Sequence, residues 1–182
     1  MENKDFYNRY MQLFLEENSK VNLISKNDEK FFEKYSLSGE ISLLDIGTGG
    51  GFPAVPIAIT YPDIKVTAVD SIGKKIRAID SIKQKLNLEN LTAINARIES
   101  LDGKFDIVTS RAVSSLKNIC NYALPKLKKG GYFVAYKSRK TPDEIQEAEV
   151  VLKKYKAKII EIVEYDLPLD EKLTRNLIVI KL

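Results

Sequence analysis

Ser42-Leu43-Leu44-Asp45-Ile46-Gly47-Thr48-Gly49-Gly50-Gly51-Phe52-Pro53 is the stretch whose reading decides the fold. An apolar run too short for a helix ends in an acid, four glycines fall within the five positions 47–51, and prolines follow at 53 and 56. That order predicts a buried parallel strand, a tight loop and the start of a helix. Glycine lets the backbone turn sharply and lets a ligand reach main-chain N–H groups that a Cβ would shield. Proline is tolerated in a helix's first turn, where its missing N–H has no intrahelical partner to lose. A small-molecule site is therefore expected at the carboxyl end of a first strand, where open α/β sheets bind ligands. A glycine cluster alone also fits a structural turn, and the Gly-x-Gly-x-Gly spacing differs from the Gly-x-Gly-x-x-Gly of dinucleotide folds. Two acids add weight. Asp45 immediately precedes the loop, and Asp70 ends the next strand, where a ribose hydroxyl would be held. Together they favour a nucleoside-bearing cofactor.

Composition narrows the chemistry. A length of 182 residues, 44% hydrophobic and 30% charged, suits one globular domain with a real core. The net charge of +4 and pI near 8.9 are compatible with a nucleic-acid partner without requiring one. The chain has no histidine, which removes His-based triads, most zinc sites and the usual general base near neutral pH. Its single cysteine, Cys120, excludes an internal disulfide framework and a cysteine-rich metal site, so no metal is expected. No apolar run is long enough to span a membrane, and Met1–Asp5 lacks the apolar core of a signal peptide. A cytoplasmic location is expected, with no obligate protein partner evident.

Before the glycine stretch, Phe6, Tyr10, Leu13, Phe14 and Val21 recur at near-helical spacing, predicting an amphipathic helix over 2–17. A second short helix over roughly 28–36 carries Phe31, Phe32 and Tyr35. Residues 1–40 thus read as an N-terminal helical cap and 41–182 as the core, within a single domain spanning 1–182. From Ile41, strands are expected at 41–46, 64–69, 91–95, 105–109 and 131–136. Helices at 53–60, 72–87, 113–127 and 142–155 separate them. In the helix after Asp70, Ile72, Ile76, Ile79, Ile82 and Leu86 mark one apolar face. Lys129-Gly130-Gly131 reads as a turn into the fifth strand. Such βαβ repetition implies a parallel sheet with right-handed crossovers. Two strands, 158–165 and 176–181, then follow with no helix between, so the last pair should be an antiparallel hairpin. The expected fold class is a Rossmann-like α/β methyltransferase domain of the kind that uses S-adenosylmethionine, with a seven-stranded sheet.

Several separate motifs make the resemblance more specific. The chain resembles the small-subunit ribosomal RNA guanine-N7 methyltransferase family, also called glucose-inhibited division protein B. The motifs are Asp45-Ile-Gly-Thr-Gly-Gly-Gly-Phe-Pro, Asp70-Ser71-Ile-Gly73-Lys74-Lys75, Ser110-Arg111-Ala112-Val113, Lys137 at the end of the fifth strand, and Arg175-Asn176-Leu177-Ile178-Val179-Ile180. The match runs from about Leu43 to the C-terminus. Ala54 stands where the family usually has glycine, and the part before Ile41 is shorter than the family's and lacks its Trp and His.

The resemblance implies methyl transfer from S-adenosyl-L-methionine to N7 of a guanine in 16S ribosomal RNA. Its partner would be the small ribosomal subunit or an assembly intermediate. Gly47, Gly49, Gly51 and Phe52 would then form the cofactor loop, Asp70 would accept from the ribose hydroxyls, and Ile98 and Glu99 would flank the adenine. Asp70 also fits the capping of the following helix. Arg111 is the candidate catalytic and cofactor-contacting residue, its forked donors suited to a carboxylate, a phosphate or guanine's acceptors. Lys137, Arg139 and Arg175 are candidates for RNA phosphate. Guanine N7 carries an in-plane lone pair and no proton, so methylation there needs alignment and charge stabilisation without a general base, as suits a chain lacking histidine. A methyltransferase for another substrate, a non-catalytic cofactor- or RNA-binding module, and a dinucleotide oxidoreductase are the competing readings. The glycine spacing and terminal hairpin disfavour the last.

Overall fold

A computed structural model describes residues 40–111, 113–137, 141–167 and 173–182. The helices expected over 2–17 and 28–36, and Arg139, lie outside the described residues. Seven strands form one sheet: β1 (Ser42–Ile46), β2 (Lys65–Asp70), β3 (Leu91–Asn95), β4 (Phe105–Arg111), β5 (Leu127–Lys137), β6 (Lys158–Leu167) and β7 (Leu173–Lys181). Among the described residues four α-helices lie between them: α1 (Ala54–Thr60), α2 (Gly73–Leu86), α3 (Leu116–Ala123) and α4 (Thr141–Tyr155).

The strand order is β3-β2-β1-β4-β5-β7-β6. β1 to β5 pair in parallel, and β7 runs antiparallel between β5 and β6. The expected hairpin is present, and its second strand takes the inner position. Chain order turns around at β1: β2 and β3 spread to one side, β4 and β5 to the other. Such a reversal opens a crevice at the carboxyl ends of the strands.

Strand periodicity divides the core between two faces, because successive side chains point to opposite sides of a sheet. Leu43, Ile107 and Leu177 join the layer with Ile57 of α1 and Ile79 of α2. Their chain neighbours Leu44, Val108 and Ile178 join the opposite layer with Ile119 of α3 and Val151 of α4. In α2, Ile76, Ile79 and Ile82 are buried as their spacing predicts. Ile72 is half exposed, because it stands at the helix's N-cap rather than on its inner face.

Two boundaries differ from expectation. The helix predicted over 113–127 is α3 alone: the Ser115 hydroxyl accepts from Asn118 N–H to start it, and a 3₁₀ turn containing Pro125 ends it. A proline ring cannot continue an α-helical ladder. Lys129-Gly130-Gly131 is no turn ahead of the fifth strand but a bulge within it. Pairing with β4 jumps from Phe105↔Leu127 to Ile107↔Tyr132, with Gly130 at φ +81°. A Cβ on Gly131 would lie 2.8 Å from the Asp106 carbonyl oxygen, so this approach of β5 to β4 needs glycine.

Candidate active site

The loop after β1 is shaped by its glycines. Gly47, Gly49 and Gly51 take φ values of +66°, +59° and +94°, a region that L side chains rarely adopt. The intervening Thr48 anchors the loop: its N–H donates to the Val69 carbonyl (3.0 Å), and its own carbonyl accepts from the N–H groups of Gly51 and Phe52. The three glycines have different surroundings. A Cβ on Gly47 would stand 2.6 Å from the Val113 side chain, and one on Gly51 would stand 2.6 Å from Val55. At Gly49 a Cβ would meet nothing closer than 3.9 Å.

Beside this loop lies a cleft of about 950 Å³. It runs along the carboxyl edge from β3 to β6, at the large end of the range for small-molecule sites. At the β2–β3 end stand Asp70, Ile98 and Glu99, in the middle Gly47, Gly49, Phe52 and Arg111, and at the far end Lys137 and Arg175. Nine of the expected site residues therefore share one cavity. Gly51 lies behind it, buried against α1 and α2, where it serves loop geometry and packing.

Asp70 holds two segments at once. Oδ2 accepts from Gly49 N–H (3.0 Å) and Oδ1 from Ile72 N–H (2.9 Å), while Lys75 Nζ stands 3.6 Å from Oδ2. The carboxylate thus ties the glycine loop to the start of α2. Each of its oxygens keeps acceptor capacity for a further donor.

Asp45 is fully buried beneath the loop, where Oδ1 accepts from the Thr109 hydroxyl at 2.8 Å. Its Oδ2 and the buried Thr48 Oγ1 have no hydrogen-bond partner of normal geometry. Burial pushes the Asp45 carboxyl from 3.8 up to about 6; Thr48, Thr109, the Ala54 N–H and the charge of Arg111 pull it back only in part. Arg111 is the exposed last residue of β4, and its guanidinium sits over the Phe52 ring at 5.1 Å.

Lys137 has only 9% of its side chain exposed; Nζ lies 2.6 Å from Glu144 and donates to the Ser114 carbonyl at 2.6 Å. Arg175 Nη1 donates to the Thr174 carbonyl. Register places Arg111 beside Tyr136 and Arg175 beside Tyr165, so cations and aromatic rings alternate along this edge. Both tyrosines and Arg97 line the cleft and escaped the sequence reading, while Thr48 and Lys75, which stand in its motifs but were not singled out as site residues, line it as well. A tyrosine in an apolar strand reads as core, and Arg97 follows β3 with no motif to mark it.

Cys120 is buried within α3, and burial pushes its thiol up to about 12. It carries no nucleophile at neutral pH. Among the described residues no group of three or more Cys, Asp or Glu could hold a metal, and no helix is long and apolar enough to cross a membrane.

Among solved structures, the sheet and helices are similar to a SAM-dependent O-methyltransferase from Thermotoga maritima. The TM-score is 0.62 at 18% identity, covering 86% of this chain and 64% of that one, a likeness of fold. Curated relatives are nearer. "Ribosomal RNA small subunit methyltransferase G" of Lachnoclostridium phytofermentans is 39% identical, covering 94% of this chain and 78% of the relative. The protein of the same name from Staphylococcus epidermidis is 37% identical, with 91% and 76% covered. The GidB family, described as rRNA small subunit methyltransferase G, matches residues 3–174. A glycine loop over a buried acid, an acid ending the next strand and an arginine closing the fourth thus stand within a match over nearly the whole chain, and the chain belongs to the GidB family of rRNA small subunit methyltransferases.

Proposed function

We propose that this chain is an S-adenosylmethionine-dependent methyltransferase that methylates N7 of a guanine in 16S ribosomal RNA. The observation that carries the reading is one cleft bringing together, within a GidB-family chain, the glycine loop, Asp70, Glu99 and Arg111. The small ribosomal subunit or an assembly intermediate is the partner, and the cytoplasm the location.

The cleft suits the cofactor. Asp70 offers spare carboxylate lone pairs for ribose hydroxyls, Ile98 an apolar wall and Glu99 an acceptor for adenine. Gly49 leaves open backbone for the methionine end. Phe52 walls the middle and stacks under Arg111. When bound, S-adenosylmethionine supplies an electrophilic methyl group on a sulfonium.

The chain's own task is alignment. Arg111, at the junction between the two halves of the cleft, fixes the reacting groups by its forked donors and adds charge at the site. No side chain has to take a proton from N7, which has none. The usual arginine fork onto guanine, one donor to O6 and one to N7, would occupy the nucleophilic lone pair. Stacking is a better way to hold this base, and ring faces are offered by Tyr136, between Arg111 and Arg175, and by Tyr165, on the far side of Arg175. Arg175 and Arg139 are assigned to RNA phosphate.

The test is transfer of labelled methyl from S-adenosylmethionine to small ribosomal subunits from cells lacking this gene, with transfer RNA as control, followed by mapping of the product. A single N7-methylguanine in 16S ribosomal RNA is expected. Transfer to another acceptor, or cofactor binding with no transfer, would favour one of the competing readings.

A further inference from the structure

Lys137 lies at the end of β5 with its charge turned inward. A lysine this buried is rare unless paired. Its partner, Glu144, stands in the first turn of α4, 2.6 Å away. The same carboxylate oxygen, Oε2, accepts from Leu116 N–H at 2.9 Å, at the start of α3, where a helix has N–H groups without intrahelical partners. Lys137 Nζ also donates to the Ser114 carbonyl at 2.6 Å. Two side chains therefore connect the ends of β5 and α4 to both sides of the short connection between β4 and α3. That connection begins right after Arg111 and carries Val113, whose side chain stands within 2.6 Å of where a Gly47 Cβ would be.

We propose that Lys137 is a positioning residue: through Glu144 it staples the segment after β4, holding Val113 against the glycine loop and Arg111 in the cleft. The ammonium group is then not a phosphate contact, although it lines the same cavity. A two-residue clamp at this point matters because small misplacements of reacting groups slow a reaction out of proportion to their size. Hydrogen exchange at Leu116 judges the proposal independently of the methyl-transfer reading above, on which the other readouts rest.

The experiment compares Lys137→Met, Glu144→Gln, the double variant and Lys137→Arg with the unmodified chain. Four quantities are measured: hydrogen exchange at the Leu116 amide, affinity for S-adenosylhomocysteine, single-turnover methyl transfer, and the salt dependence of RNA binding. Both single variants should speed Leu116 exchange, weaken S-adenosylhomocysteine binding and slow transfer by about tenfold. The double variant should be no worse than the poorer single, as for two members of one unit. Lys137→Arg, which keeps charge and donors, should recover much of the loss, and the salt dependence should not change in any variant. Loss of a phosphate contact instead lowers the salt slope by about 1. A lower slope in Lys137→Met beside an unchanged Glu144→Gln would overturn the staple, as would additive losses in the double variant. Absence of transfer by the unmodified chain would defeat the functional reading alone, because Leu116 exchange still judges the staple. Should Lys137→Met not fold, Glu144→Gln and Lys137→Arg carry the same comparison.

Discussion

Asp45 and Asp106 sit on neighbouring strands at opposite ends of the same sheet, and the fold treats them in opposite ways. Asp106, at the amino edge, accepts from Ser42 N–H (2.8 Å), Ser42 Oγ (2.6 Å) and Lys128 Nζ (2.7 Å), all at Oδ2. Partial burial pushes its carboxyl up, but Lys128 and Ser42 outweigh this and hold it below the ordinary value. Asp45, at the carboxyl edge, is fully buried, with one oxygen unpartnered and its carboxyl raised to about 6. The amino edge closes its hydrogen bonds within the fold. The carboxyl edge leaves polar capacity over, and that is where the cleft opens.

The contrast breaks most sharply at Arg111. Arg111→Ala should slow methyl transfer by about 100-fold or more, the usual cost of removing a preorganised donor at a reacting centre. Its thermal midpoint should stay near that of the parent, because the side chain is exposed. Near-normal turnover would remove Arg111 from the site.

Asp45 should show its strain in the pH dependence of stability. Its folded pKa of about 6 lies above the unfolded 3.8, so the folded state binds more protons between these values and stability falls as pH rises through that window. The difference corresponds to about 3 kcal/mol at most, fully expressed above pH 6. Asp45→Asn should remove this slope from urea midpoints measured between pH 4 and 7; a slope left intact would place its source elsewhere.

Asp70→Ala should weaken S-adenosylhomocysteine binding by about tenfold, the loss of hydrogen bonds to one charged acceptor. It should also lower stability, since the Gly49 and Ile72 N–H groups lose their acceptor. Calorimetry of cofactor and RNA binding separates the two effects, and equal losses in both would point to general unfolding.

The smallest effect belongs to the amino edge. Ser42→Ala should cost about 1 kcal/mol of stability, as loss of a partly buried side-chain hydrogen bond does. Turnover per folded molecule should be unchanged, since Ser42 stands at the end of β1 remote from the cleft. A drop in kcat would mean that the two edges are coupled.

Much of this division was legible in the sequence, for physical reasons. The positive-φ positions of the loop announce themselves because only glycine fits them cheaply, and the apolar positions of α2 follow from helical period. The bulge at Gly130 was not legible, because Gly-Gly before an apolar run looks the same whether the chain turns ahead of a strand or buckles within it. Lys137 could not be told from a solvated charge, since what buries it is Glu144, on another element, and a carbonyl on a third. Arg97, Tyr136 and Tyr165 belong to the cleft through sheet order and register, which local patterns do not encode.

The position of β7 between β5 and β6 bears on how the chain is made. Synthesis proceeds from the amino end, and β6 emerges before the strand that must separate it from β5. Until β7 follows, β6 has no neighbour to pair with, and β5 presents a bare edge of unpaired backbone N–H and C=O groups. The parallel part of the sheet can assemble strand by strand during translation, as domains growing from the amino end do. The last two strands can join only together, as a hairpin inserted in one event, which makes completion of this edge a late and all-or-none step in the birth of the protein.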